Sequence, residues 1–456
     1  MKLFDYFPKG YAPRDGQTEL LESIETALRV SDVICVTAPT AIGKTVLSLT
    51  IANYMAAQGK STSYLVPTNV LLTQLSQEFP DLAVLKKKDL YSSLEHYKEA
   101  KEHAQESKVR AMNYHMYMAL KMYSHCMIGD EGHKVVDMLA DMGSVKIWSS
   151  EYKFPTELMT VGDVLAWIES EPNWRNDRKL SSAYRSITSI KHNALVEYNN
   201  ETYYGKRQPV LSIVPMSTKS LPPILWPSAV KKIVLLSATI NPKDIDELGL
   251  SLRRVTYIEA DSPIDPMRRQ VKYIPAGRMS NQTLIAGAKR ISEKINELAD
   301  LQTNDKGIIH IPYGAANELR KHLIGPRYIW HTHDDKDSVL NRFKTSKEPL
   351  VMIASGMYEG VDLPYDKARW QVIAKVPFLN LGSPKVRAKM EKDSDWYAWE
   401  AIKRIVQATG RIVRAPDDFG VTYILDSSFA GLWYRDSERK NDRMFPKYFR
   451  ESLILK

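Results

Sequence analysis

Two α/β domains in tandem are the fold class this sequence predicts, and three observations carry the prediction. Short apolar, β-rich runs alternate with amphipathic helical stretches, the pattern of parallel sheets covered on both faces. The runs fall into two sets, separated by Asp261-Ser262-Pro263-Ile264-Asp265-Pro266, whose two prolines suit a linker. A chain of 456 residues, 44% hydrophobic and 26% charged, is long enough to bury more than one core.

In the first set, Val33-Ile34-Cys35-Val36, Ser63-Tyr64-Leu65-Val66, Cys126-Met127-Ile128 and Ile233-Val234-Leu235-Leu236 read as buried strands. A helix begins at Thr45 and stops near Gly59; another covers roughly 70–78. Two stretches break the pattern: the lysine-rich 85–110 and the longer 134–208, which holds Trp148, Trp167 and Trp174. Both are expected to be small helical insertions within a first domain spanning 1–260. The lysines suit a solvated helix face. The tryptophans suit a small helical core, with stacking on bases as the alternative. The second set follows Met267: Lys272-Tyr273-Ile274, Gly307 to Ile311, Val351-Met352-Ile353, Val372-Ile373-Ala374 and Thr422 to Leu425, with a helix over 280–302 between the first two. These place a second domain at 261–456.

Lysine and arginine total 63 against 54 aspartates and glutamates, a net charge of +9 that suits a polyanion without identifying one. The two cysteines, Cys35 and Cys126, lie in apolar runs and read as buried structural thiols. Two thiols cannot build a four-thiolate zinc or iron–sulfur site, so no iron–sulfur cluster is expected. The start, MKLFDYFPKG, lacks the apolar core of a secretory signal, and no apolar stretch is long enough to span a bilayer. The expectation is a soluble, cytoplasmic chain of a reducing compartment with no membrane partner.

The strongest local signal is Thr37-Ala38-Pro39-Thr40-Ala41-Ile42-Gly43-Lys44-Thr45, which follows a predicted strand and opens a predicted helix. That context suits a phosphate-binding loop: backbone N–H groups from Ala38 to Gly43 surround a nucleotide phosphate, Lys44 reaches its outer oxygens and the Thr45 hydroxyl ligates Mg²⁺. Alanine stands at Ala38, where the generic pattern has glycine. Asp130-Glu131-Gly132-His133 follows another apolar run. A carboxylate there can hold the metal, assigned to Asp130, and its neighbour Glu131 can orient or deprotonate the attacking water. His133 is read as a γ-phosphate sensor or a relay toward Ser237-Ala238-Thr239.

The ordered motif set resembles superfamily 2 helicases. The phosphate loop stands as motif I, Val66-Pro67-Thr68-Asn69 as Ia, Asp130 to His133 as II, Ser237-Ala238-Thr239-Ile240 as III and Gln407 to Arg414 as VI. Finer features are similar to the XPD/DinG branch: Tyr11 to Gln17, with Arg14 and Gln17; Asn113-Tyr114-His115; Gly356 to Pro364, with Glu359 and Asp362; Ala374-Lys375-Val376-Pro377-Phe378; and Gly420 to Phe429, where Ser428 replaces the family's arginine. These motifs run over nearly the whole chain. The family's four-cysteine cluster domain is missing, and the interval that usually holds a large arch domain is short. Loss of the former bears more on duplex unwinding than on ATP hydrolysis.

The resemblance implies two RecA-like domains, ATP with Mg²⁺ in the cleft, and 5′-to-3′ movement on single-stranded or forked DNA. Arg14 and Gln17 would join the nucleotide site, and Asp362 would reach the ribose. Arg411 and Arg414, three apart on a predicted helix, are expected as arginine fingers, with Gln407 one turn earlier orienting water or sensing nucleotide. His133, Ser237, Thr239 and Glu359 would couple cleft to strand. Single strands are held by basic grooves and aromatic stacking, and Thr68, Asn69, Tyr114, Tyr313 and Lys375 fall in matched places. An RNA track, or a nucleotide-gated DNA clamp with little turnover, are the alternatives. A monomer suffices, because one chain carries both halves of the site.

Overall fold

The structure is a computed structural model and describes residues 2–203, 205–221, 225–358, 361–440 and 442–455. In chain order its strands are β1 (Val33–Thr37), β2 (Thr62–Val66), β3 (Ala83–Leu85), β4 (Val109–Asn113), β5 (Cys126–Asp130), β6 (Val145–Trp148), β7 (Ala194–Tyr203), β8 (Lys206–Pro215), β9 (Lys232–Ser237), β10 (Val255–Glu259), β11 (Arg269–Gly277), β12 (Gly307–Ile311), β13 (Tyr328–Trp330), β14 (Val351–Ser355), β15 (Trp370–Ile373), β16 (Gly420–Asp426) and β17 (Leu453–Leu455).

Two seven-stranded sheets result, ordered β10-β1-β9-β5-β2-β4-β3 and β13-β14-β12-β15-β16-β11-β17. Every pairing within them is parallel. The α/β expectation holds for a visible reason: the central strands are buried over all or nearly all of their length, so both faces need apolar residues and cover from helices. Cores lie on either side of the first sheet, around Ile34, Ile51 and Val234 on one face and Met112, Met127 and Ile233 on the other.

The first sheet also contains strands the sequence reading passed over. Residues 85–110 do hold a helix, Leu94–Glu106, but strands β3 and β4 enter the stretch at its two ends. Lys134 to Gln208 is not purely helical either. Beside the helices Val135–Met142, Val161–Ser170 and Arg178–Ile190 it contains β6, β7 and the start of β8, an antiparallel three-stranded sheet ordered β6-β8-β7. Long strands exposed on one face carry no continuous apolar run, so the run criterion misses them. The tryptophans are structural: Trp167 is buried in a small core with Ile147, Leu180 and Leu211, Trp148 stacks on Tyr203, and Trp174 packs on Tyr184. Cys35 and Cys126 are free and buried.

His310 on β12 is fully buried, its Nε2 3.1 Å from Gln371 Oε1. Burial holds its ring neutral, with a pKa lowered to about 4. The unfolded chain binds the proton more readily, so stability rises with pH over this window. It is fully present above the unfolded value near 6.5 and is lost as pH falls toward about 4, a loss of about 3 kcal/mol. We predict that His310→Asn flattens the denaturant-midpoint profile between those pH values relative to the parent chain. Parallel profiles would refute this.

Candidate nucleotide site

Three neighbouring strands of the first sheet, β1, β9 and β5, end side by side. Their carboxyl ends deliver the phosphate loop, Ser237 and Asp130 to one edge, where open α/β sheets bind ligands. The helix Lys44–Ala57 starts directly at the loop, with Gly43 as its N-cap at φ +76°. A side chain at Gly43 would place Cβ 2.7 Å from Gln17 Nε2. Gln17 Nε2 donates to the Ile42 carbonyl at 2.6 Å, and the Arg14 guanidinium donates to the Ala41 carbonyl. Arg14 N–H in turn donates to Gln17 Oε1 at 2.8 Å. Arg14 and Gln17 therefore brace the loop from outside, and Ala41 is held in the left-handed region at φ 69°. The loop carbonyls being occupied this way, its N–H groups and the helix N-terminus are the groups that suit an anion.

Lys44 Nζ stands 4.0 Å from Glu131 Oε1. Glu131 is a non-glycine residue at φ 50°, ψ 47°, a conformation that costs of order 1–3 kcal/mol and that concentrates at functional sites. Burial opposes its charge, yet the Lys44 ammonium and then His133 outweigh it and hold the carboxyl low, at about 2. Asp130 goes the other way. Burial first, then the Glu131 charge, push it up to about 6. Tyr64 donates to Asp130 Oδ2 at 3.4 Å and Tyr114 donates to the Asp130 carbonyl at 2.7 Å. A buried carboxylate, Asp130, and a part-exposed one, Glu131, beside one lysine form an acidic donor set that suits a divalent cation, with Asp130 and Thr45 the groups that would hold it.

The second domain closes this edge. His133 Nδ1 lies 2.7 Å from Ser237 Oγ, and Gln407 Nε2 lies 2.6 Å from His133 Nε2, both within hydrogen-bonding distance. Gln407 also lies 3.4 Å from Thr239 Oγ1, and Ser237 Oγ accepts from Thr239 N–H at 3.0 Å. Ala41 of the loop packs against the second-domain cluster that contains Ile412 and Val413. A Cβ on Gly410 would sit 2.9 Å from Thr40 Cγ2. Tyr448, from the C-terminal helix Lys447–Ser452, donates across the cleft to the Ala238 carbonyl at 3.0 Å. No local sequence signal marked Tyr448 or Tyr64.

Several expected site residues take other positions. The helix Ser394–Thr409 ends at Gly410, so Arg411 and Arg414 lie beyond it and not on one helical face. Arg411 donates to the carbonyls of Tyr358 at 3.0 Å and Val361 at 3.4 Å, and its charge contributes to lowering Glu131. Arg414 is ion-paired with Asp362 at 2.7 Å, so the expected second finger and the expected ribose contact hold each other. Tyr114 is buried, its ring in the first-domain core and its hydroxyl under β5, which removes it from any strand-binding surface. Glu359 lies outside the described residues.

Thr68 is exposed and caps the helix Asn69–Glu78. Asn69 Oδ1 accepts from Asn113 Nδ2 at 3.0 Å. In the second domain Tyr313 is half exposed, with its ring laid over Gly356, which has φ +67°. Lys375 is part-buried and donates to the Met279 carbonyl, which burial accompanies with a lowered pKa. It lines a cavity of about 1130 Å³ together with Arg278, Arg387, Phe378 and Tyr397. Charged and aromatic groups of that kind suit a nucleic-acid backbone and its bases.

The family model described as Helicase C-terminal domain matches residues 311–451, and that described as Type III restriction enzyme, res subunit, matches 10–155. A Methanocaldococcus jannaschii protein named as an ATP-dependent helicase is 26% identical over 306 residues, covering 59% of this chain and 45% of that protein. The ATP-dependent DNA helicase YoaA of Escherichia coli is 30% identical over 100 residues, 20% of this chain and 16% of YoaA. The XPD/RAD3 helicase subunit of Saccharomyces cerevisiae is 26% identical over 113 residues, 23% of this chain and 13% of that subunit. The chain thus spans less than half the length of each of these relatives. In fold it is similar to Xpd4 from S. tokodaii, with a TM-score of 0.64 at 15% identity over 97% of this chain and 100% of that one.

Proposed function

From a chain that is an XPD/DinG-like superfamily 2 helicase in motif order and fold, we propose a nucleic-acid-stimulated ATPase that moves along single-stranded DNA in the 5′-to-3′ direction. The observation that carries the reading is the Gln407–His133 contact, 2.6 Å across the domain boundary beside Lys44 and Glu131. It ties the hydrolytic groups of one domain to the motif of the other that bears Arg411. In this reading the loop N–H groups and Lys44 bind the β- and γ-phosphates, and Glu131, held ionised, orients the attacking water and takes its proton. Arg411 turns from its backbone partners toward the charge that develops on the γ-phosphoryl. A magnesium ion held by Thr45 and Asp130 would neutralise part of the phosphate charge. Closure with ATP and release after hydrolysis shift grip between Thr68 and Asn69 on one domain and Tyr313 and Lys375 on the other.

The supporting assay measures ATP turnover alone, with single-stranded DNA, with duplex DNA and with RNA, and then strand displacement from 5′- or 3′-tailed duplexes. We expect stimulation by single-stranded DNA and displacement from the 5′ tail. Stimulation by RNA alone would move the track to RNA. DNA binding without turnover would make the chain a nucleotide-gated clamp, and displacement only from a 3′ tail would reverse the polarity.

A further inference from the structure

The helix Ser394–Thr409 buries two faces. Ala398, Trp399, Ile402, Ile405 and Val406 pack into the second-domain core. Glu400, Lys403 and Gln407, spaced three and four apart, share another face and are also buried. This polar face meets the first domain. Gln407 contacts His133 and Thr239, while one turn earlier Lys403 Nζ lies 3.4 Å from Asp244 Oδ1 and 2.6 Å from Glu400 Oε1. Asp244 belongs to the same short segment as Thr239: Asn241 N–H donates to Asp244 Oδ2 at 3.2 Å, and Asn241 Oδ1 caps the helix Pro242–Glu247. Lys243–Asp393 at 2.5 Å, partly exposed, and Lys389–Glu247 at 3.5 Å, more deeply covered, flank the pair.

A buried lysine and a buried aspartate from different domains are paired only while the domains are together; separation returns both to water. Breaking such a pair by removing one partner leaves the other charge buried and uncompensated, so the pair discriminates sharply between one docked register and its neighbours. The lysine sits one helical turn from Gln407 and seven residues before Gly410, on the same helix.

We infer that Lys403 is a positioning residue for the proposed hydrolysis. Its bond to Asp244 fixes the register of the helix on the segment 237–244 and so sets Gln407 against His133 and Arg411 toward Glu131. Glu400 holds the lysine ammonium aimed at Asp244. The inference rests on the ATPase reading for its kinetic consequence, but its geometric claim stands apart from it.

The test uses the full chain with donor and acceptor dyes at Leu252→Cys and Ile324→Cys, positions exposed at 95% and 79% on the two domains. Energy transfer without nucleotide or strand reports domain docking, and turnover with single-stranded DNA is measured on the same samples. Lys403→Met and Asp244→Leu are each expected to lower energy transfer and to reduce kcat about tenfold at unchanged ATP affinity, with the double variant no worse than either alone, since coupled residues are not additive. Lys403→Arg should restore most of both readouts. If Lys403→Met does not fold, Asp244→Asn removes only the cross-domain charge and carries the same test. Unchanged energy transfer in these variants, or additive losses in the double variant, would overturn the inference. Absence of turnover in the parent chain would strike the ATPase reading alone and leave the docking measurement to decide this one.

Discussion

Arg411→Ala is expected to lower strand-stimulated ATP turnover by roughly 10³-fold or more while leaving nucleotide binding nearly intact. The phosphate loop, Lys44 and the bracing pair Arg14 and Gln17 all belong to the first domain, so the ground-state grip on the nucleotide does not depend on Arg411. What the guanidinium adds is charge at the γ-phosphoryl when negative charge is at its greatest, at a cleft edge where Gly410 comes close against Thr40. Its present bonds to the Tyr358 and Val361 carbonyls hold it at the cleft edge and must be exchanged for phosphate contacts. Arg411→Lys should recover little, since an ammonium lacks the planar fork. Equilibrium binding of a fluorescent nucleotide, set against single-turnover hydrolysis, separates the two effects. A loss of binding equal to the loss of rate would place Arg411 in the ground-state site.

Glu131→Gln is the second large effect, with turnover falling about 10²–10⁴-fold. The amide keeps the size of the side chain but cannot accept a proton. The parent carboxyl is held low by Lys44 and His133, so it is ionised across the neutral range and no activity gain is expected on raising pH through that range from this group. With the Glu131 charge gone, Asp130 loses a neighbour that pushes its own pKa up, which favours its ionised form. The variant should therefore bind nucleotide and strand at least as tightly as the parent and accumulate as an unhydrolysed complex. Filter binding with radiolabelled ATP and single-stranded DNA checks this. Turnover within tenfold of the parent would remove Glu131 from the hydrolytic role.

Much of this was legible in the residues because the fold writes its central strands as uninterrupted apolar runs. Val33 to Val36 and Gly307 to Ile311 are buried throughout and have no other reading. Glycine-lysine-threonine after such a run fixes a loop, and Gly43 in the left-handed region is what the turn demands. Edge and inserted strands were less legible, since β7 has no buried residue and its partner β8 is buried only over its second half. Spacing on a helix misled at Arg411 and Arg414, because Gly410 ends the helix just before them. Tyr114 carried a motif position but went into the core, where its hydroxyl serves the Asp130 carbonyl. Cross-domain partners such as Tyr448 and the Asp244–Lys403 pair depend on residues about 160 to 210 apart and have no local signature.

The central claim is that the phosphoryl group in transfer is contacted from both domains together. The direct measurement is a crystal structure of the chain with Mg²⁺, ADP and aluminium fluoride, a mimic of the phosphoryl group in transfer, with and without a single-stranded oligonucleotide. The fluoride group should lie within hydrogen-bonding distance of both Lys44 Nζ and the Arg411 guanidinium, with Glu131 facing it. A nucleotide held by the first domain alone in the strand-bound crystal, with Arg411 still on the Tyr358 and Val361 carbonyls, would contradict it.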